Sequence, residues 1–264
     1  MPITQSLRKD ADIAFHLHPF TNPSLHEVEG PHIIEKGEGI YLTDEDGKIY
    51  IDGMSSLWCC SLGYNEPRLV NAAYQQLQKL PYSHTFRGRS HPSLIELSEK
   101  LVKLGPTNMS KVFFANSGSE ANDSAIKLAW YYNNARGKPN KKKIIARRGG
   151  YHGSTVITAS LSGLPYMHSA FDLPVSGIVF ADCPHFYRYS IGGEGEEEFS
   201  NRLAHSLEEL ILLEGADTIA AFIAEPVMGV GGVIIPPKSY FQQIQKVLRK
   251  YDILLISDEV ICGF

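Results

Sequence analysis

Residues 111–129 read KVFFANSGSEANDSAIKLA, and the parsing of this stretch decides the architecture. The mainly apolar run Lys111 to Ala115 has the length of a buried strand. A small, polar turn follows, Asn116-Ser117-Gly118-Ser119, and then apolar residues at helical spacing from Glu120 to Asn134. The alternation continues downstream. Short apolar runs at 143–146, 177–181, 219–224 and 253–257 are separated by amphipathic stretches at 196–213 and 239–251. Apolar strands alternating with helices predict an α/β fold with a mainly parallel sheet covered on both faces. In such sheets the chemistry collects beyond the carboxyl ends of the strands.

Upstream, the β-rich runs Gly39–Thr43 and Lys48–Ile51 flank Asp44-Glu45-Asp46-Gly47, which predicts a hairpin. Helical spacing is found at 68–80 and 93–104. The acidic, Gly-rich stretch 192–198 reads as a solvated surface loop. With 43% hydrophobic and 20% charged residues the chain has a globular composition, and its net charge of −4 argues against nucleic acid or an anionic membrane as the main partner. No apolar run approaches the ~18 residues of a membrane span, and the N-terminus lacks signal-peptide order; a soluble, cytoplasmic protein is expected. Cys59, Cys60, Cys183 and Cys262 form no CxxC pair and are expected to be reduced, buried thiols. His16 and His18 are the only close histidine pair, and no metal site is expected.

Four strand ends carry chemistry. The turn at Ser117, Gly118 and Ser119 opens a helix and so presents unpaired amides and hydroxyls where the helix dipole is positive, a ready phosphate site. Ser117 and Glu120 also have the S-x-x-E spacing of a capping box, which uses neighbouring donors and leaves the phosphate reading open. Neither GxxxxGK[ST] nor GxGxxG is present there, so a nucleotide is not indicated. At the next strand end Tyr151, between glycines and beside His152, can lie over a planar ligand or simply pack. Glu225 and Asp258 end two apolar strands, and a carboxylate so placed needs a partner: an arginine, a cap or a cationic ligand nitrogen. Phosphate cradle, aromatic and carboxylate together suit a phosphorylated heterocycle with a basic ring nitrogen, such as pyridoxal 5'-phosphate.

The segments NSGSEANDSAIKLA (116–129), GGYHGST (149–155), AEPVMGVGG (224–232) and LLISDEVICGF (254–264) resemble, in order and relative spacing, those of the class III, fold-type I aminotransferases. DGMSSLWCCSLGYNEP (52–67) and HPFT (18–21) are similar to the branch that moves amino groups from ω-amino acids or amines to pyruvate. The resemblance implies a seven-stranded type of large-domain sheet in residues 65–264, with residues 1–64 contributing to a small domain. It implies pyridoxal phosphate as cofactor, an amine donor and a keto-acid acceptor as substrates, and a homodimer or higher homo-oligomer. By the same resemblance Ser117, Gly118 and Ser119 hold the cofactor phosphate, while Tyr151, with His152 beside it, and Val260 cover the two faces of its ring. Asp258 pairs with the ring nitrogen and Glu225 lies near the ring hydroxyl. Phe20, Leu57, Trp58 and Phe86 line the amine pocket, Phe86 across a dimer interface; taken alone, Trp58 reads as core.

Two departures stand out. Val227-Met228-Gly229-Val230 replaces a segment that commonly carries glutamine and alanine, which would reshape the pocket. The family's Schiff-base lysine comes downstream of DEVICGF, and the last lysine here is Lys250. The sequence is therefore expected to be an N-terminal fragment of a longer enzyme. A diamine, taurine or biotin-pathway aminotransferase, or a non-catalytic short product acting as a binding protein, are the alternatives.

Overall fold

The computed structural model describes residues 5–263, so the terminal Phe264 lies outside the described residues. The chain divides into two compact units, 1–110 and 111–264.

The first unit begins with helices α1 (Gln5–Phe15) and α2 (Pro23–Glu29), followed by the antiparallel sheet β1-β2-β3 of Ile34–Glu38, Tyr41–Asp44 and Ile49–Ile51. The expected hairpin is β2–β3, with Leu42 opposite Tyr50. Its turn is organised by buried Asp44, which accepts from the Lys48 amide at 2.9 Å and the Tyr50 hydroxyl at 2.7 Å. β1 has no alternating pattern in its sequence and forms by adding an edge to β2. A distorted turn, α3 (Ser55–Trp58), leads to α4 (Pro67–Lys79) and α5 (Pro92–Leu104), both at the predicted places and each started by proline.

The second unit is α6 (Gly118–Ala135), β4 (Lys143–Arg147), α7 (Val156–Leu161), β5 (Ile178–Ala181), α8 (Phe186–Tyr189), α9 (Glu196–Glu214), β6 (Ile219–Ala224), α10 (Tyr240–Lys250) and β7 (Leu254–Ser257). The strands form a fully parallel sheet in the order β5-β4-β6-β7. All of β6 is buried, which fits a continuous apolar run with helices over both faces. On one face Phe199, Leu203 and Leu207 of α9 and Ile244 and Leu248 of α10 pack on Ile145 and Phe222. On the other, Ile126 and Ala129 of α6 and Leu161 of α7 pack on Ile144, Ala221 and Ile223. A side chain such as Ile144, fully removed from water, contributes about 1.5–3 kcal/mol.

Winding runs from β4 out to β5, then back past β4 to β6 and on to β7. The winding direction reverses between β4 and β6, and a crevice forms at the carboxyl ends of strands where that happens.

Three expectations are corrected. Lys111–Ala115 forms no ladder: among the described residues no strand pairs with it, and Phe113 and Phe114 stay exposed. Among the described residues the parallel sheet has four strands of the seven-stranded type of sheet that the resemblance implies for the complete large domain. Glu196–Glu198 are the first turn of α9 instead of loop, their charges lying at the positive end of the helix. Of the cysteines only Cys183 is buried; Cys59 and Cys262 are exposed and Cys60 is half-buried, because all three lie outside the sheet and its covering helices.

Candidate active site

Three strand ends meet at the reversal point. β4 runs into Gly149–His152, β6 into Glu225 and β7 into Asp258, and these strands are neighbours in the sheet. Helix α6 presents its first turn to the same edge. Ser117 is its N-cap, with its hydroxyl accepting from the Glu120 amide at 3.1 Å. The Glu120 carboxylate reaches past Ser117 to the Asn116 amide at 2.8 Å, so only half of the predicted capping box forms. The amides of Gly118 and Ser119 have no helical carbonyl one turn back and point out of the positive end of the helix.

Gly118 packs directly against Val260. A Cβ at this position would come 2.8 Å from Cγ2 of Val260, closer than carbon atoms pack. The phosphate-type loop and the exposed Val260 are therefore in register, one against the other. The Ser119 hydroxyl accepts from the Ser154 amide at 3.1 Å, which ties this loop to the turn after β4. That turn passes through Gly153 at φ +134°, where a side chain would overlap Ser119 and Thr158.

Asp258 is buried and bound from two sides. His152 Nδ1 lies 2.8 Å from its Oδ2, and Asn122 donates Nδ2 to the same oxygen at 2.9 Å. The Val260 amide approaches Oδ1 at 3.3 Å. Burial alone pushes this carboxyl up; the hydrogen bond and charge of His152, with Asn122 and the Val260 amide, outweigh it and hold the group below the usual carboxylate range. His152 is fixed in turn: its amide donates to Ser162 Oγ at 2.9 Å, and its carbonyl accepts from Asn122 at 2.9 Å. Its Nε2 is buried with no hydrogen-bond partner. Tyr151 is half-buried, and burial, with Tyr166 and the Asp258 carboxylate adding to it, pushes its phenol up.

Glu225 is a clamp. One oxygen accepts from the Tyr151 amide at 3.0 Å and the other from the Gly229 amide at 2.9 Å, so the turns after β4 and β6 are joined through one buried side chain. Arg147 Nη2 donates to the Glu225 carbonyl at 2.5 Å, with its guanidinium fully buried near Tyr240 and Phe241. An aminotransferase class-III family model matches residues 24–264.

The chain belongs to the class-III aminotransferases.

This family works through pyridoxal phosphate. The chain is 58% identical over 250 residues to gamma aminobutyrate transaminase 3, chloroplastic, of Solanum lycopersicum, and 56% identical over 249 residues to vanillin aminotransferase of Capsicum chinense. Each match covers 94% of this chain, but 48% and 54% of those relatives. The chain thus spans about half the length of the curated relatives it matches. Among solved structures, the omega transaminase from Pseudomonas jessenii in complex with PMP superposes with a TM-score of 0.95 at 57% identity, covering 97% of this chain and 56% of that one.

Within this class-III aminotransferase chain the second unit gathers Ser117, Gly118, Ser119, Tyr151, His152, Glu225, Asp258 and Val260 at one sheet edge. The residues expected for the amine pocket, Phe20, Leu57, Trp58 and Phe86, lie in the first unit and are all exposed there. Phe20 and Trp58 hold left-handed backbone, φ +51° and +59°, a conformation that costs a bulky residue about 1–3 kcal/mol. Asp52 sets the turn that carries Leu57 and Trp58, accepting from the Met54 amide at 3.0 Å, the Ser56 amide at 2.5 Å and the Tyr64 hydroxyl at 2.6 Å. Of the departures, Met228 is fully buried with Cys183 and Ile234 and lies beneath Gly149, so it forms floor rather than open wall. Sequence reasoning missed Asn122, Ser162 and Arg147. Asn122 had a signal: it follows Gly118 by one helical turn and so shares its face.

Proposed function

We propose that the protein is an aminotransferase that moves an amino group from an ω-amino acid or amine to pyruvate through pyridoxal phosphate. The observation that carries the reading is the buried Asp258, kept ionised by His152 and Asn122 beside a helix N-terminus with two free amides. The donor set fits the cofactor, since orphan amides suit a dianionic phosphate and an ionised carboxylate suits a ring N–H. In this reading the amides of Gly118 and Ser119 hold the phosphate, Asp258 holds the ring nitrogen protonated, and Tyr151 and Val260 cover the ring's faces. Glu225 keeps the Tyr151 turn in place from below. The cofactor supplies the electron sink that lets a proton leave the substrate carbon.

The relatives support an ω-amino-acid donor, since two or more of them are gamma-aminobutyrate transaminases by description. Trp58, exposed in the first unit, is proposed as a wall of the amine pocket. Residues 1–64 are proposed to join a small domain, residues 65–264 to form most of the large one, and the Schiff-base lysine to follow residue 264 in the complete protein. A homodimer would cover apolar side chains exposed along α4, such as Leu69, Leu77 and Tyr74.

The test is an acceptor comparison on the complete protein. With γ-aminobutyrate as donor, alanine should form from pyruvate faster than glutamate forms from 2-oxoglutarate. The reverse order would overturn the pyruvate assignment, and no product from any amine donor would overturn the activity.

A further inference from the structure

We propose that Asp12, His16 and His18 form a binding site for a divalent transition-metal ion, with His26 holding the carboxylate in place. Sequence inspection saw only the His16/His18 pair; the carboxylate is one helical turn before His16. Asp12 lies in the last turn of α1, whose hydrogen bonding continues to His16 through the His16 amide and the Asp12 carbonyl at 2.9 Å. The chain then doubles back. Asn22 caps α2, accepting from the Ser24 amide at 3.0 Å, and Pro23 starts that helix, which delivers His26 to the same carboxylate.

The donor atoms converge. His18 Nε2 lies 2.8 Å from Asp12 Oδ1, and His16 Nδ1 lies 3.4 Å from Oδ2. One donor atom from each of Asp12, His16 and His18 lies within 4.8 Å of the others. With metal–ligand bonds of about 2.1 Å, neighbouring ligands sit about 3.0 Å apart in an octahedron and about 3.4 Å in a tetrahedron. His18 Nε2 and His16 Nδ1 thus already lie near ligand spacing from the two oxygens of Asp12. His26 Nε2 approaches Oδ1 at 2.9 Å, the outer hydrogen bond that commonly orients a ligating carboxylate. Three imidazoles crowd one carboxylate, with ring centroids 4.0 Å apart for His16 and His18 and 4.5 Å for His18 and His26. A recess of about 300 Å³ bordered by His16, His18, Thr21 and His26 lies beside the cluster. Two imidazoles and a carboxylate suit Zn²⁺, Ni²⁺ or Cu²⁺ better than Mg²⁺ or Ca²⁺. The ion would staple the end of α1 to the segment that leads to Phe20.

The experiment titrates ZnCl2 calorimetrically into the full chain without an affinity tag, stripped with chelator and with its thiols alkylated. One ion should bind per chain. His16→Ala and His18→Ala should each remove this event, and His26→Gln should weaken it about tenfold. His205→Ala should leave it unchanged, since His205 sits on an exposed face of α9 beside Glu209. Zinc-induced shifts of the His16 and His18 imidazole NMR signals in the unmutated chain give a readout independent of how the variants fold. No one-to-one binding, binding that survives both substitutions, or unshifted His16 and His18 signals would each overturn the site.

Discussion

His152 Nδ1 and Asp258 Oδ2 are 2.8 Å apart although 106 residues separate them, and both side chains are buried. The pair joins the turn after β4 to the end of β7, and Asn122 of α6 closes the group. Such a carboxylate is costly to bury unless it is hydrogen-bonded from several sides, and here it retains its charge. In the complete enzyme, Asp258→Asn should leave the cofactor bound but lose the ionic partner of its ring nitrogen. The expected loss is about 2–4 kcal/mol of transition-state stabilisation, roughly 30- to 1,000-fold in the half-reaction rate. Stopped-flow rates within threefold of the unmutated enzyme would remove Asp258 from this role. The pair also has a pH signature. Because the folded-state value is depressed, its contribution to stability is complete above the ordinary carboxyl value of 3.8 and is lost as pH falls through the lower, folded value.

Gly118 and Val260 make a separable test of the phosphate loop. A methyl group at 118 would press on Val260. Gly118→Ala should weaken cofactor retention about tenfold, near 1.4 kcal/mol, with little change in the thermal midpoint. Adding Val260→Ala should recover part of the loss by making room. If the double variant binds no better than Gly118→Ala, the two residues are not coupled as the packing implies.

Most of this edge was legible in the sequence for a physical reason. A parallel sheet forces its strands into continuous apolar runs, and the residues within a few positions of each run's end, Tyr151, Glu225 and Asp258, mark the carboxyl ends. Lys111–Ala115 looked like a strand by the same criterion, but an apolar run specifies burial without specifying a ladder partner, and none is supplied by the described residues. Arg147 was not legible, because a buried polar side chain is identified by the partner it meets across space. The His/Asp cluster was overlooked for a related reason: its carboxylate and His26 come from two helices whose approach depends on the turn at Asn22.

Asp252 offers a test of surface electrostatics. Arg136 and Lys138 both hydrogen-bond its carboxylate, and they hold it at about 2. The side chain is about half exposed, so the pair contributes only about 0.5–1 kcal/mol after solvent screening. Asp252→Asn should lower stability by that amount in urea at neutral pH. The difference should be complete above 3.8 and shrink as pH falls towards about 2. A difference that persists unchanged at the lowest pH would show that packing, not charge, is responsible.

Trp58 tests the first unit. Held at φ +59° on a turn set by Asp52, the ring is presented outward at a cost in backbone energy. Trp58→Ala in the complete enzyme should therefore change the ranking of small and bulky amines by kcat/KM and leave the cofactor's absorbance intact. A lost cofactor spectrum with an unchanged ranking would assign Trp58 to the core.

The final prediction concerns residues 1–264 expressed alone. The lysines around the sheet are committed away from the edge that carries Asp258. Lys141 is buried at the opposite end of β4 and donates to the carbonyls of Ile219, Tyr251 and Asp252 at 3.2, 3.0 and 2.9 Å. Lys143 is held by Glu214 at 2.7 Å and Lys250 by Glu208 at 2.5 Å. Phosphate, ring and carboxylate contacts can position a cofactor, but they cannot supply the amine that attaches it. This chain mixed with pyridoxal phosphate should form no alanine from pyruvate and an amine. Borohydride reduction and peptide mapping should show low labelling scattered over exposed lysines. Among the described residues the outer edge of β7 has no ladder partner, and with the exposed Phe113 and Phe114 it should also make the chain prone to association. A single lysine labelled to completion, together with turnover, would show that residues 1–264 hold a complete catalytic set.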